Sequence, residues 1–174
     1  LVKGIKTSTQ LFFDGAKNKE LLAKVALSSV SVENAKDNLD SKEETFETTK
    51  SEAETLWNSA LSQIVVETPT DSLKTIFYTS LYHAQLAPVT FSDKNGQFRL
   101  ENDSIVTATN YTAYSTLSLW DTFRAEHPLL TLIAPDRVSD MVNSMLAFYD
   151  TKKILPVWTL YGNETNTMTG YHSI

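Results

Sequence analysis

The sequence predicts a mixed α+β fold in which strands come first and helices follow. Two early segments, residues 9–13 and 21–32, have the aliphatic and β-branched composition of strands. Beyond residue 43 the apolar residues recur at the spacing of amphipathic helices. An Asn95-Gly96 pair between two short apolar segments is typical of a β-hairpin. We therefore expect the class of structure to change between residues 33 and 43.

The first two long helices are predicted at residues 43–63 and 70–87. Ser41 and Glu44 form a capping box ahead of the first helix, because the hydroxyl and the carboxylate can each cover a free backbone N–H. Thr68 is the expected cap of the second helix, with a proline directly after it at the first helical position.

The middle of the chain is predicted to hold a hairpin and then a loop. Asn95 and Gly96 favour a type I′ turn with positive φ at both residues, which would join strands near 89–92 and 97–100. Residues 101–113 are rich in Thr and Asn and are expected to form a long polar loop. Loops of that length in compact domains are often functional.

The last third of the chain is predicted to be mainly helical. Thr116 or Ser118 would cap a helix that opens with Trp-Asp-Thr, and Asn163 or Thr165 would cap a final helix. Between them, residues 136–150 carry a stripe of methionine and aliphatic side chains that indicates core packing. Helical periodicity alone is compatible with an (α/α) barrel, a toroid or a bundle.

Composition narrows the possible functions. The 174 residues are enough for one domain or for parts of two, and 41% hydrophobic residues allow a packed core. A formal net charge of −6 argues against nucleic acid as a partner, which requires clustered Lys and Arg. The absence of cysteine excludes disulfides, thiolate zinc sites and a cysteine nucleophile. No apolar run approaches the roughly 18 residues that a membrane span requires.

Two stretches carry the residue types of a carbohydrate site. The first, residues 117–127, contains Trp120, Asp121, Thr122 and Arg124. The second, residues 160–172, contains Asn163, Glu164, Asn166, Tyr171 and His172. An aromatic face suits the apolar side of a pyranose, and charged or amide groups suit its hydroxyls. The two stretches together therefore indicate a polar, aromatic cleft.

The amino-acid sequence of these stretches closely resembles that of glycoside hydrolase family 92, the calcium-dependent exo-acting α-mannosidases. The most specific pieces are residues 118–122 (Ser-Leu-Trp-Asp-Thr), 127–132 (His-Pro-Leu-Leu-Thr-Leu), 155–158 (Leu-Pro-Val-Trp) and 162–165 (Gly-Asn-Glu-Thr). The resemblance covers nearly the whole chain. It implies an inverting enzyme that removes terminal α-linked mannose from glycans, in the periplasm, at the cell surface or in the secreted fraction of a bacterium.

The resemblance also implies a domain organisation. Residues 1–34 would be the end of an N-terminal β-sandwich, residues 35–67 linker helices, and residues 68–174 the first helices of an (α/α)6 catalytic barrel. The chain begins without an initiator methionine and ends inside a predicted helix. We therefore expect an internal fragment of a longer protein.

The resemblance further assigns substrate contacts within this chain. The expected substrate-binding residues are Trp120, Asp121, Asn163, Glu164 and Arg124. From the residues alone, Asp121 could be a first-turn helix carboxylate, Arg124 could pair with Asp121 or Glu126, and Glu164 could cap a helix. No catalytic residue is assigned, because the acid and the base are expected after Ile174. The calcium ligands are likewise expected mostly outside this chain, and no metal ligand is predicted within it.

Other interpretations remain open at this point. His83, His127 and His172 lack metal-ligand spacing and are expected to be structural. A non-catalytic helical carbohydrate-binding protein is the alternative function. A purely structural helical module would instead leave Trp120, Asp121 and Glu164 buried or satisfied by one another.

Overall fold

The computed structural model of the protein describes residues 8–13, 21–39 and 45–174. Within these ranges, helices and three small sheets give an α+β fold. In chain order the elements are α1 Val32–Asn38, α2 Phe46–Leu61, α3 Asp71–His83, β1 Val89–Thr90, β2 Gln97–Arg99, a 3₁₀ turn Glu101–Asp103, β3 Ile105–Thr107, β4 Tyr114–Ser115, α4 Leu119–Thr122, α5 Glu126–Ile133, α6 Pro135–Lys152, β5 Thr159–Leu160, β6 Asn163–Glu164 and a 3₁₀ turn Gly170–Ser173. None of the helices in the described residues combines the length and apolar character of a membrane span.

The strands predicted in the first part of the chain are not present in the part of it that the structure describes. Residues 8–13 and 21–31 have no strand pairing, and side chains such as Phe12 and Val25 are 85% and 83% exposed. Strand-forming composition produces a strand only where a neighbouring strand accepts its backbone hydrogen bonds. Val32, the last residue of the second predicted strand, instead begins α1, because the Ser31 hydroxyl accepts the Asn34 amide at 3.0 Å.

The two long helices after α1 confirm the prediction of helices, with different ends. Thr45 caps α2 by accepting the Thr48 amide at 3.2 Å, whereas the predicted capping box at residues 41 and 44 lies outside the described residues. The cap of α3 is Thr70 and not Thr68, because the extended backbone of Thr70 lets its hydroxyl reach the Leu73 amide. This helix ends at His83, four residues before the predicted end. Its contact with α2 includes a Trp57–Tyr82 ring pair at 4.5 Å.

The chain reverses at Asn95-Gly96 as predicted, but the predicted turn type and strand pairing are wrong. Asp93 and Gln97 are joined by a backbone hydrogen bond of 2.7 Å, and of the two turn residues only Gly96 has positive φ (+81°). This is a three-residue hairpin loop with a left-handed glycine. The segments on either side belong to different sheets, since β1 pairs with β4 and β2 pairs with β3.

The type I′ geometry occurs instead at Tyr161-Gly162, where φ is +50° and +79°. These two residues join β5 to β6, with Leu160 opposite Asn163. A Cβ at Gly162 would lie 2.2 Å from the Arg99 carbonyl oxygen, so only glycine fits there. The helix predicted to begin at Asn163 or Thr165 is therefore wrong, because the first of these residues starts a strand.

The core lies where the β2–β3 sheet packs against α6. Its buried members are Phe98, Leu100, Ala108, Ala113 and Phe148. The prediction of one long polar loop at residues 101–113 is wrong, since β3 lies within this range. The helix predicted at 136–150 is confirmed as α6, but its buried face runs through Met141, Ser144 and Phe148. Of the stripe that the sequence indicated, only Met141 is fully buried.

Candidate functional site

The first carbohydrate-type stretch is held in place by backbone contacts with a distant segment. Leu117 is 2% exposed and exchanges hydrogen bonds with Thr159: its carbonyl accepts the Thr159 amide at 3.1 Å, and its own amide donates to the threonine hydroxyl at 3.3 Å. Ser118 and Trp158 form an isolated antiparallel bridge one step further along. The beginning of α4 is therefore fixed against the segment that leads into β5.

Asp121 lies in the first turn of α4 and is exposed. The Ser118 hydroxyl donates a hydrogen bond to Asp121 Oδ2. Within the described residues, the structure gives Asp121 Oδ1 no partner. The carboxylate therefore closes the start of the helix with one oxygen and presents the other to solvent.

Arg124 and Trp120 contact each other through the face of the indole ring. The guanidinium carbon lies 4.7 Å from the centroid of the half-buried Trp120 ring and 5.4 Å from that of Phe123. This is the geometry of a cation–π contact. In the described part of the chain Arg124 has no ion pair with Asp121 or Glu126, so the pairing that helical spacing suggested is wrong.

Glu164 has a different environment from the one that its sequence position suggested. It lies on β6, not at a helix start, and its half-buried carboxylate accepts three backbone amides. The hydrogen bonds come from Val157 at 2.7 Å, from Trp158 at 3.1 Å and from Asn166 at 3.0 Å. The carboxylate thus holds the two ends of the β5–β6 hairpin together.

Asn163 is exposed beside this hairpin. Its side-chain amide donates to the Tyr161 carbonyl at 3.2 Å, across the type I′ turn. The amide oxygen faces solvent as far as the described residues go, since no hydrogen bond to it is observed.

The end of the described chain also packs on α4. The His172 ring stacks on Phe123 with a centroid distance of 4.0 Å and an interplanar angle of 4°. The structure therefore brings the two predicted stretches together through this stack, and the Ser118–Trp158 bridge lies just before the second stretch. Trp120 and Asp121 lie at a helix start, whereas Glu164 lies on a strand.

Two neighbouring residues were given no place in the site by sequence reasoning, which treated Glu126 only as a possible partner of Arg124 and His127 as a structural histidine. Glu126 Oε1 and His127 Nε2, at the beginning of α5, are buried atoms without a hydrogen-bond partner in the described structure. Burial raises the pKa of Glu126 and lowers the pKa of His127, so both side chains are pushed toward their neutral forms. An unpartnered buried polar atom costs about 1–3 kcal/mol. The sequence feature that could have indicated them is a Glu-His pair in the first turn of an apolar helix.

The site residues do not assemble a metal centre. Among the described residues there is no group of three or more His, Asp or Glu side chains that could hold a metal ion. Calcium takes six to eight oxygen ligands. The residues that the structure describes therefore do not fit a calcium site.

Comparisons with a family model and with solved structures both find similarity to glycoside hydrolase family 92. A family model described as the glycosyl hydrolase family 92 catalytic domain matches residues 34–174. The solved family GH92 α-mannosidase BT3965 from Bacteroides thetaiotaomicron, in complex with mannoimidazole, is 42% identical over 83% of this chain, with a TM-score of 0.76. The family GH92 inverting mannosidase BT2199 from Bacteroides thetaiotaomicron VPI-5482 is 26% identical over 84% of this chain, with a TM-score of 0.75.

These likenesses concern a limited part of the solved proteins. The chain covers 19% of BT3965 and 20% of BT2199, so it spans about a fifth of the length of either. No curated protein sequence gives a significant match.

Proposed function

Because the chain belongs to glycoside hydrolase family 92, we propose that the whole protein is an exo-acting α-mannosidase that removes terminal α-linked mannose from glycans. The observation that carries this proposal is the 42% identity to an α-mannosidase solved with mannoimidazole. That similarity extends over 83% of this chain. Inversion at the anomeric carbon is part of the proposal and is supported by the likeness to a mannosidase described as inverting.

Within the proposed enzyme this chain supplies substrate contacts and scaffold. The face of the Trp120 ring that Arg124 does not cover offers an apolar surface to a pyranose. Asp121 Oδ1 offers a charged acceptor to two adjacent sugar hydroxyls. Arg124 and the exposed amide of Asn163 are the further donors in this proposal, whereas Glu164 acts mainly by fixing the hairpin that carries Asn163.

The reaction itself needs groups that this chain is not proposed to supply. Inverting hydrolysis uses a carboxylic acid to protonate the leaving oxygen and a carboxylate to activate water, about 6.5–9.5 Å apart. We place both after Ile174 in the whole protein, together with the ligands of the calcium ion that the family resemblance implies. The proposed location is the periplasm, the cell surface or the secreted fraction. No nucleic-acid partner is part of the proposal.

The test is a hydrolysis assay on the whole protein. Purified enzyme is incubated with α-mannosyl disaccharides of each linkage, with matched β-mannosides and α-glucosides as controls, and the released sugar is followed by proton NMR. The proposal expects mannose from α-mannosides alone, first seen as the β-anomer, and loss of release after calcium is chelated. Binding of α-mannosides without any release would refute the enzyme and support the non-catalytic carbohydrate-binding alternative.

A further inference from the structure

A buried carboxylate connects the first described helix with the hairpin loop at residues 93–97. Asp93 is only 7% exposed, yet its two oxygens accept three side-chain hydrogen bonds. The donors are the Ser28 hydroxyl at 2.6 Å, the Asn34 amide at 2.8 Å and the Asn38 amide at 2.8 Å. Burial alone would raise the pKa of Asp93, but these three hydrogen bonds outweigh it and lower the pKa. The carboxylate is therefore a charged anchor with both oxygens hydrogen-bonded.

A second charged side chain holds the same segment from the neighbouring strand. Arg99 Nε donates to the Ser29 carbonyl at 2.5 Å, and Nη2 donates to the Val30 carbonyl at 2.8 Å. The Arg99 backbone amide also donates to the Ser29 hydroxyl at 3.2 Å. The guanidinium fork thus fixes two successive peptide units, which gives direction as well as attachment.

These contacts lie on both sides of the point where the catalytic-domain match begins. Ser28, Ser29 and Val30 precede residue 34, whereas Asn34 and Asn38 lie within the matched range. The residues before these contacts have little packing of their own, since the side chains of Val25 and Leu27 are each 83% exposed. We call residues 28–39 the entry segment. In the described structure the start of this segment is therefore held by directed polar contacts and not by an apolar core.

We propose that Asp93 and Arg99 form a joint that fixes the direction in which the preceding part of the polypeptide enters the catalytic domain. Hydrogen bonds suit this task because they constrain angle, which apolar contacts do not. Asp93 binds the side chains of Ser28, Asn34 and Asn38 in the entry segment. Arg99 binds the backbone carbonyls of residues 29 and 30. Both residues are positioning residues, and the inference does not depend on the mannosidase activity proposed above.

The test is amide hydrogen exchange on the whole protein, with an Asp93→Ala variant. The probes are the amides of Val30, Ser31, Asn34, Ala35 and Leu39, all of which are hydrogen-bonded within the entry segment. Their exchange should accelerate about tenfold to a hundredfold, as expected when charge-assisted hydrogen bonds are removed. The amides of the core around Phe98 and Phe148 should keep their wild-type rates.

Asp140→Ala is the matched control. Asp140 borders the same surface depression as Asp93, and Asp140 Oδ2 accepts the Thr112 amide at 3.0 Å. This hydrogen bond joins two parts of the catalytic domain and does not involve the entry segment. Its removal should accelerate exchange near Thr112 and leave the entry segment unchanged. Equal acceleration of core and entry-segment amides in Asp93→Ala would overturn the proposal, and so would an unchanged entry segment.

A milder variant covers the case in which Asp93→Ala does not fold. Ser28→Ala removes one donor that precedes the catalytic domain and leaves every group of that domain in place. The readout is limited to the amides of Ala35 and Leu39, because the Ser28 hydroxyl is the direct acceptor of the Val30 and Ser31 amides. Ser28→Ala should accelerate exchange at Ala35 and Leu39 on its own, and unchanged rates there would overturn the joint. Where Asp93→Ala folds, the effect of Ser28→Ala on these two amides should not add to that of Asp93→Ala, because both substitutions break the Ser28–Asp93 hydrogen bond. Independent, additive effects would show that Ser28 acts through its local turn and would overturn the joint.

Discussion

The charge of Asp121 provides the sharpest test of the proposed sugar site. In the whole enzyme, Asp121→Asn keeps the size of the side chain and removes its charge. Asp121 Oδ2 already accepts the Ser118 hydroxyl, and Oδ1 is without a partner in the described residues. The oxygen that would bind sugar is therefore distinct from the one that closes the helix start.

The magnitude follows from that division of roles. A charged acceptor in a hydrogen bond contributes about 1.5–3 kcal/mol, roughly twice a neutral one. Losing it should lower kcat/KM by about tenfold to a hundredfold. The asparagine oxygen can still accept the Ser118 hydroxyl, so stability should fall only by the charge–dipole contribution of about 0.3–1 kcal/mol. A four-residue helix such as α4 places the value at the low end of that range.

The assay compares kcat/KM on α-mannosides with the thermal midpoint for the same preparations. Asp136→Asn is the matched control, because Asp136 is likewise exposed and lies in the first turn of α6. It should reproduce the small change in stability without a kinetic effect. A wild-type kcat/KM for Asp121→Asn, with only its thermal midpoint lowered, would show that Asp121 is a helix-terminal carboxylate and would remove it from the site.

Three further predictions concern stability and the isolated chain. Glu164→Gln should lower the free energy of unfolding by about 1–3 kcal/mol, measured by urea titration, because a single amide oxygen cannot replace a carboxylate that accepts three backbone amides; an unchanged value would contradict the hairpin role. Although burial opposes it, the hydrogen bonds from Ser28, Asn34 and Asn38 hold the folded-state pKa of Asp93 below its ordinary value. Its stabilising contribution should therefore be complete above that ordinary value and be lost as the pH falls through the folded pKa. Asp93→Asn should flatten the decline in urea stability as the pH falls below about 4, and identical slopes would refute this assignment. Finally, the 174-residue chain expressed alone should release no mannose from an aryl α-mannoside, with or without calcium, and calcium-stimulated release would overturn the placement of the catalytic carboxylates.

The sequence predicted the features that depend on neighbouring residues. Helices α2, α3 and α6 follow from apolar spacing, which acts within one or two turns. The family resemblance belongs in this group too, because it rests on short contiguous stretches, and the match over residues 34–174 confirms it. The chain reversal at Asn95-Gly96 was also correctly located, because glycine tolerates positive φ wherever the strands lie.

Only the tertiary structure decided which backbone groups find partners. The segments on either side of the Gly96 turn pair in different sheets, β1 with β4 and β2 with β3. The type I′ turn is at Tyr161-Gly162, where β5 pairs with β6 and the Arg99 carbonyl leaves room only for glycine at residue 162. The two acidic residues of the site, Glu164 and Asp121, have different roles for the same reason. Glu164 is occupied by three backbone amides that the hairpin brings to it, whereas Asp121 keeps one oxygen without a partner in the described residues. A carboxylate's role depends on the donors around it, and here most of those donors are placed by the fold and not by sequence spacing.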